Sequence, residues 1–291
     1  MYGESRSSGK LAHMTQSDPG PAVQRILLGA NLRDAREACG LSTADATKAL
    51  GWYAGKLSKI EQGDLLVSSK DLGIAVKIYS IGQEIEQRLH ALASEARRKL
   101  PPSRVPEWAA KYVSLVRAAA ELKIFYGDTF PGTVQTADYA RAILTRSVTV
   151  SPAEVDRMVD ERVQRAQRIT STESTRLWLV VGEEALHRQI GGPETLRGQL
   201  EHIIKLAESS RVHVQVLPFE AGAHSVHGVT FTIVTLIEGR PGLVYVEGLT
   251  GSDYLGREHL HVYTLAFDNL RAAALSPEAT LSLIRRRITE L

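Results

Sequence analysis

The apolar positions of residues 22–80 recur with the period of short helices. Between Leu28 and Cys39 an apolar residue returns every three or four positions, which predicts a first helix with one buried stripe. Gly40 ends that helix, and we expect Cys39 to be an inert core residue. Further helices are predicted from the apolar positions Ala46, Leu50, Leu57, Ile60, Leu72, Ala75, Val76 and Tyr79. The stretch therefore predicts a mainly α bundle of about five helices.

The second half of the chain mixes helical and strand-like patterns. Helices are predicted over residues 108–125, 136–145, 152–169 and 193–209, and again at the C-terminal end. Strands are predicted at 177–181, 212–217, 229–236 and 243–247, with a hairpin turn at 239–242. This combination predicts an α+β domain in which helices cover a small β-sheet.

The chain therefore divides into four segments. Residues 1–21 are rich in Gly, Ser and Pro and predict a disordered tail before the helical domain at 22–80. Residues 81–104 predict a charged helical linker that stops at two consecutive prolines. Residues 105–291 form the predicted α+β domain.

Composition excludes several classes of protein. A chain of 291 residues with 43% hydrophobic residues can bury its own core without metals or disulfides. The one cysteine cannot form an internal disulfide, and no apolar run is long enough to span a membrane. The N-terminus lacks the apolar core of a signal peptide, so we expect a cytoplasmic protein that associates with the nucleoid when bound to DNA. No cofactor is predicted.

The net charge of +2 does not by itself indicate a nucleic-acid partner. Residues 97–123 have a local excess of positive charge, with seven Lys and Arg side chains and only Glu107 and Glu121 as acids. Two interpretations stay open for this stretch. It could face phosphates, or it could be a solvated helix face or linker.

The strongest functional signal lies in residues 40–63. Two short helices joined by a tight turn at Gly51 predict a helix-turn-helix, whose second helix enters the DNA major groove. We expect that second helix to begin near Trp52 and to bury Trp52, Leu57 and Ile60. The remaining positions are candidate DNA contacts: Tyr53, Ala54, Gly55, Lys56 and Lys59.

Each candidate contact brings its own chemistry. Lys56 and Lys59 could reach phosphates or guanine acceptors, and Tyr53 could bond a phosphate or pack on a thymine methyl. The small residues Ala54 and Gly55 would let the helix approach closely. Within a helix, Gly55 would cost about 0.5–1 kcal/mol relative to Ala.

The spacing from Leu28 to Gly63 resembles that of the XRE/Cro family of phage-repressor-like helix-turn-helix domains. The matching positions are Leu32, Arg36, Gly40, Leu41, Ser42, Leu50, Gly51, Ser58, Ile60, Glu61 and Gly63. The resemblance implies a homodimer that binds pseudo-palindromic double-stranded DNA. It also implies an internal salt bridge between Arg36 and Glu61 that joins the first and third helices.

The resemblance adds Ser42, Thr43 and Ser58 to the candidate DNA contacts. Thr43 stands where this family usually has Gln, so it can donate one hydrogen bond but has a shorter reach. Base specificity therefore cannot be transferred from relatives.

Residues of roughly 105–285 resemble a domain of unknown function that is fused to XRE domains in many actinobacterial regulators. The resemblance rests on FPGTVQTADYARAIL, ERVQRAQRI, GEEALHRQIGG, QLEHIIKLA, VHVQVLPFEAGAH and LVYVEG. Such regulators are sometimes described as toxin–antitoxin-like and are often encoded beside a very small protein. The resemblance implies that this domain is regulatory and senses or binds something, with that small protein as the expected partner.

Other chemistry-bearing residues give weaker signals. The pairs His224 with His227 and His259 with His261, together with Glu183, Glu184 and Glu247, could be imagined as a metal site. Their spacing is generic, and surface histidines are the simpler interpretation. Ser225 lacks a G-x-S-x-G motif and a paired base, so no catalytic residue is predicted.

Three functional hypotheses follow. The first is a DNA-binding transcription regulator, and the second is an interaction member of a toxin–antitoxin-like pair that binds DNA for autoregulation. The third is an enzyme or small-molecule sensor built on the C-terminal sheet. The first is the prediction, and no enzymatic activity is expected.

Overall fold

The computed structural model describes residues 20–98, 107–171, 175–236, 242–249 and 251–291. The N-terminal part of the chain is helical. Its helices are α1 (Gly20–Ala38), α2 (Thr43–Ala49), α3 (Lys56–Glu61), α4 (Ser69–Ile78) and α5 (Gln83–Ala96). The predicted helical bundle is therefore confirmed. Most of the predicted tail lies outside the described residues, and its last two positions, Gly20 and Pro21, already belong to α1.

The apolar stripes predicted for this bundle form one core. Leu28, Leu32, Leu57 and Leu72 are all at most 2% exposed and pack in a single cluster. Cys39 is the exception, because it follows the end of α1 and is exposed. Its thiol lies 3.2 Å from the carbonyl oxygen of Tyr79. The expectation of a buried, inert Cys39 was wrong.

Helix α5 contributes to this core. Leu89 and Ala93 are fully buried in the same cluster, so the described part of the predicted linker that forms α5 packs as part of the bundle. The Arg97 guanidinium follows α5 and donates to the carbonyl oxygen of Val67 at 2.7 Å.

The backbones of α1 and α3 are in direct contact at Gly29, with no side chain between them. A Cβ added to Gly29 would overlap the Ile60 carbonyl oxygen and lie 2.7 Å from the Glu61 carbonyl oxygen. Glycine is therefore required here by the close approach of the two backbones.

The C-terminal part is an α+β domain, as predicted. Its strands are β1 (Glu121–Tyr126), β2 (Arg176–Gly182), β3 (Val212–Leu217), β4 (Phe231–Thr235), β5 (Leu243–Glu247) and β6 (Ser252–Leu255). Its helices are α6 (Glu107–Ala118), α7 (Ala137–Arg146), α8 (Val155–Ser171), α9 (Glu184–His187), α10 (Pro193–Leu206), α11 (Arg257–Ala273) and α12 (Pro277–Glu290).

The strands form one six-stranded sheet in the order β3-β2-β1-β4-β5-β6. Strands β1, β2 and β3 are parallel, whereas β4, β5 and β6 are joined by antiparallel pairings that begin at β1. Ile124 at the centre lies opposite Leu179 on one side and Thr232 on the other. The sheet therefore changes from parallel to antiparallel at the β1–β4 boundary.

Two of these strands differ from the sequence interpretation. The helix predicted over residues 108–125 ends at Ala118, and residues 121–126 form the central strand β1. Leu122 and Ile124 are buried on one face and Phe125 on the other, because helices cover both faces of this central strand. Strand β6 was not predicted, and most of the hairpin turn predicted at 239–242 lies outside the described residues.

Each face of the sheet supports a separate core. Leu122, Ile124 and Leu179 pack with helix α10 on one face, whereas Phe125 and Phe231 pack with Phe267 of α11 on the other. Both faces of the sheet are therefore covered by packed side chains, and the loops at its ends extend from this core.

Helix α1 belongs to both parts of the molecule. Val23 near its start is fully buried in the C-terminal core, whereas Leu32 near its end lies in the helical bundle. Two ion pairs also join the two parts of the molecule: Asp64 with Lys111 at 3.2 Å and Glu37 with Arg257 at 3.0 Å. Within the described ranges, no helix is long and apolar enough to cross a membrane.

The close approach of α1 to α3 leads to a matched pair of stability predictions. Gly29→Ala should lower the free energy of unfolding by about 1–3 kcal/mol, because the new methyl group overlaps backbone carbonyls. Gly73→Ala should raise it by about 0.4–1 kcal/mol, because Gly73 lies within α4 with open space around it. Urea denaturation of the full chain measures both, and equal effects of the two substitutions would contradict the packing described here.

Candidate nucleic-acid interface

The candidate interface consists of α2, α3 and the segment between them. Ser42 caps α2, because its hydroxyl oxygen accepts from the Asp45 backbone N–H at 3.1 Å. Gly51 turns the chain after α2 with φ of +65°, a conformation that glycine adopts without strain. Ala46 of α2 and Leu57 of α3 are buried in the core of the bundle. This geometry is a helix-turn-helix.

Helix α3 begins later than the sequence indicated. It runs from Lys56 to Glu61, and Trp52 to Gly55 form a non-helical connection. Gly55 is the N-cap residue with φ of +83°, a left-handed conformation. The expectation that Gly55 weakens a helix interior was therefore wrong, because at this position its freedom permits the turn into α3.

Most of the predicted contact residues lie on the surface. Tyr53 is 62% exposed, which is unusual for a large aromatic side chain in a compact domain. The exposed members of the set are Ser42, Thr43, Tyr53, Ala54, Gly55 and Lys59, and Ser58 is half-buried. These predicted contacts thus carry hydroxyl groups, an aromatic ring and one exposed ammonium, and Lys48 of α2 adds a second exposed ammonium to the face.

Lys56 differs from this set because it is bound within the protein. Its ammonium donates to Asp71 Oδ2 at 2.9 Å and lies 4.7 Å from the centre of the Trp52 ring. The Lys56 side chain is only 18% exposed. It therefore holds α3 against α4 instead of projecting freely from the surface.

Asp71 collects several donors at this junction. Its carboxylate also accepts from Trp52 Nε1 at 3.1 Å and from the Ser68 hydroxyl at 2.7 Å. Burial alone would raise the pKa of Asp71, but the hydrogen bonds from Lys56, Ser68 and Trp52 outweigh burial and lower it. The carboxylate is therefore ionised and retains Lys56 at neutral pH.

Lys59 has no such partner in the part of the chain that the structure describes. It is exposed one turn after Gly55, and no hydrogen bond or ion pair of its ammonium is found there. Of the two lysines predicted to contact DNA, Lys59 is the one whose charge is available to an incoming phosphate.

A buried ion pair connects α3 to α1. The Arg36 guanidinium donates to both carboxylate oxygens of Glu61, at 2.7 and 3.0 Å, and both residues are only 6% exposed. Hydrogen bonding to Glu61 raises the pKa of Arg36 despite its burial. Arg33 adds a third contact to Glu61 at 3.2 Å. The Arg36–Glu61 pair implied by the resemblance is thus present in the structure and links α1 to α3.

The candidate face is not covered by the C-terminal domain. Across the described ranges, no hydrogen bond or ion pair joins residues 42–59 to any residue beyond 107. The contacts between the two parts use α1, Asp64 and Gln62, whose amide lies 3.4 Å from Glu258. Among the described residues, the face is therefore open to solvent.

The basic stretch at 97–123 is mostly bound within the protein where it is described. Arg97 bonds to the backbone after α3, and Lys111 pairs with Asp64 and lies over the Tyr254 ring at 4.1 Å. Lys99 and Arg104 lie outside the described residues. The described part of the stretch does not form a separate phosphate-binding surface.

The weaker constellations do not assemble into a metal or nucleophile site. In the described ranges, no group of three or more His, Cys, Asp and Glu side chains could hold a metal ion. Ser225 donates its hydroxyl hydrogen to the Ala266 carbonyl oxygen at 3.0 Å. His224 and His227 do lie together, at a cavity that sequence reasoning did not identify.

Comparison with known proteins supports this organisation. Residues 27–90 match the model of a helix-turn-helix domain, and residues 109–286 match the model of a domain of unknown function, DUF5753. No curated protein and no solved structure shows significant similarity to the chain. Because the second match covers more than half of the 291 residues, the chain belongs to the DUF5753 family and carries a helix-turn-helix domain ahead of the family domain.

Proposed function

We propose that this protein is a sequence-specific transcription regulator of the XRE/Cro type that places α3 in the major groove of double-stranded DNA. The observation that carries the proposal is the open helix-turn-helix face, on which Tyr53 and Lys59 are exposed. Only the major groove is wide enough for a helix and offers a distinct pattern at each base pair. The protein acts by binding, and no catalytic step is assigned to it.

The exposed residues divide into two roles. The Thr43 and Tyr53 hydroxyls can donate to phosphate oxygens and fix the position of the protein on the duplex. Lys59 can bind a phosphate or the O6 and N7 acceptors of guanine. Ser42 and Ser58 lie beside these groups in the chain, and Ala54 and Gly55 leave room for close approach of the DNA backbone.

Dimerisation completes the proposal. Helix-turn-helix proteins of this kind bind as pairs to half-sites about 34–36 Å apart. A helix of six residues with one exposed lysine supplies few contacts by itself. We therefore expect a homodimer on pseudo-palindromic DNA, with the DUF5753 domain regulating it.

A second candidate function is binding of a small protein encoded by a neighbouring gene, in a toxin–antitoxin-like pair. The observation that favours it is an apolar pair on α11. Val262 and Leu265 lie about one turn apart and are 64% and 54% exposed. Large apolar side chains grouped in this way are typical of protein-binding surfaces.

Lys59→Ala tests the DNA-binding proposal. Fluorescence anisotropy with the DNA upstream of the gene should show weaker binding, because a charge at the groove is lost. If Lys59 meets a phosphate, the salt dependence should also decrease by about one counterion. Lys205→Ala removes an exposed charge from α10 and should leave binding unchanged. The proposal fails if the folded wild-type chain binds no DNA in a salt-dependent manner, including fragments selected from the genome.

Lys56 should contribute less to DNA binding than Lys59, because Asp71 retains its ammonium. Lys56→Ala alone should therefore weaken binding less than Lys59→Ala. In the Asp71→Asn background, where the ammonium is released, Lys56→Ala should have a larger effect than in the wild-type chain. Anisotropy titrations of the four variants of this cycle give the comparison, and a purely additive cycle would show that the Lys56–Asp71 ion pair does not restrain Lys56.

Sedimentation tests the homodimer, and co-purification tests binding of the small protein to the α11 surface. Alone, the chain should sediment as a homodimer. When the adjacent small gene is co-expressed, its product should co-purify in fixed stoichiometry, and Leu265→Asp should reduce that retention while Ile85→Asp, at an exposed site on α5, should not. Clean purification of the chain without the co-expressed product would argue against the second candidate.

A further inference from the structure

A cavity of about 520 Å³ opens at the carboxyl ends of the three parallel strands. Gly127 and Asp128 follow β1, Gly182 and Glu184 lie at the end of β2, and Phe219 follows β3. The chain between β3 and β4 passes these strand ends and lines the cavity with Val226, Val229, His224 and His227. This site is separate from the helix-turn-helix face and from the contacts between the two parts of the molecule.

The position of the cavity is that of ligand sites in other open sheets. In such sheets ligands bind outside the carboxyl ends of parallel strands, at the point where the strand order reverses. Here β2 and β3 lie on one side of β1, and β4, β5 and β6 lie on the other. The volume also falls within the range of roughly 300–1,000 Å³ that small-molecule sites occupy.

Backbone hydrogen bonds orient the two imidazoles of the cavity. His224 Nδ1 accepts from the Val226 backbone N–H at 3.3 Å, and His227 Nε2 accepts from the His224 backbone N–H at 3.2 Å. A nitrogen that accepts carries no proton, so each neutral ring holds its proton on the other nitrogen. Burial, followed by the neighbouring His227, lowers the pKa of His224 and keeps it uncharged at neutral pH.

The remaining charge of the cavity is negative. Asp128 and Glu184 are its carboxylates, and no Lys or Arg is among the described residues that line it. Arg188, which does not line the cavity, forms an ion pair with Asp128, with 3.8 Å between Nε and Oδ2. Glu184 is exposed, and no hydrogen bond or ion pair of its carboxylate is found in the described residues. An anion is therefore disfavoured here, whereas a cation gains from an available carboxylate.

The cavity also has apolar surface beside these charges. Phe219 at its mouth is 54% exposed, and Val229 is 38% exposed. An exposed aromatic ring next to carboxylates is suited to a cation with an apolar body, because the ring attracts both. A metal ion is a poorer match, since the described ranges contain no group of three or more side chains that could hold one.

We propose that this cavity binds a small organic cation, with its ammonium at Glu184 and Asp128 and its apolar or aromatic body against Phe219 and Val229. The two imidazole N–H groups then bind acceptor atoms of the same molecule. This inference does not depend on DNA binding.

Three probes of one shape test the charge requirement: 2-phenylethylammonium, 2-phenylethanol and 3-phenylpropanoate. Isothermal titration of the full chain should show binding of the ammonium, binding of the alcohol weaker by about tenfold, and no binding of the carboxylate. Equal binding of all three, preference for the carboxylate, or no binding of the ammonium at millimolar concentration would each overturn the proposal.

Variants locate the site of binding. Glu184→Gln should weaken ammonium binding by about tenfold, and Phe219→Ala should weaken the ammonium and the alcohol together. Glu201→Gln removes an exposed carboxylate from α10, outside the cavity, and should have no effect. Because Glu184 and Phe219 are exposed, thermal unfolding should show both variants folded. Unchanged ammonium affinity in Glu184→Gln would place binding elsewhere and overturn the proposal.

Discussion

The position of α3 depends on the buried ion pair between Arg36 and Glu61. Burying either charge alone would cost several kcal/mol, and the bidentate geometry with a third contact from Arg33 compensates for this. Arg36 also donates to the Leu41 carbonyl oxygen at 2.8 Å, so the same guanidinium fixes the turn between α1 and α2. One side chain of α1 therefore sets both the entry to the helix-turn-helix and the orientation of its second helix.

The electrostatics of the helix-turn-helix face are more selective than its sequence indicates. Lys56 and Lys59 are three positions apart and look equivalent in the sequence. In the structure, Asp71 of α4 binds Lys56, whereas Lys59 is exposed. The overall charge of +2 is compatible with this arrangement, because the positive charge of α3 that is exposed is that of Lys59 alone.

Sequence periodicity predicted the helices of the bundle and the four strands that have clear boundaries. It failed to predict β1 and the exposure of Cys39. The Ala-rich run before β1 is favourable for helices and contains no Gly or Pro, so the short polar–apolar alternation from Glu121 to Ile124 was included in the preceding helix. Cys39 was misplaced because the buried stripe of α1 continues through Arg36, a residue that is read as polar. The partnership of Lys56 with Asp71 and the cavity beside His224 both depend on packing between distant segments, which no local pattern contains.

Helix α1 has a mechanical consequence for the whole molecule. It continues without a break from Val23, in the core of the sheet domain, to Leu32, in the core of the bundle. An α-helix is stiff over this length because every turn is closed by backbone hydrogen bonds. The orientation of the helix-turn-helix relative to the sheet domain is therefore fixed by one continuous helix and not by a flexible linker.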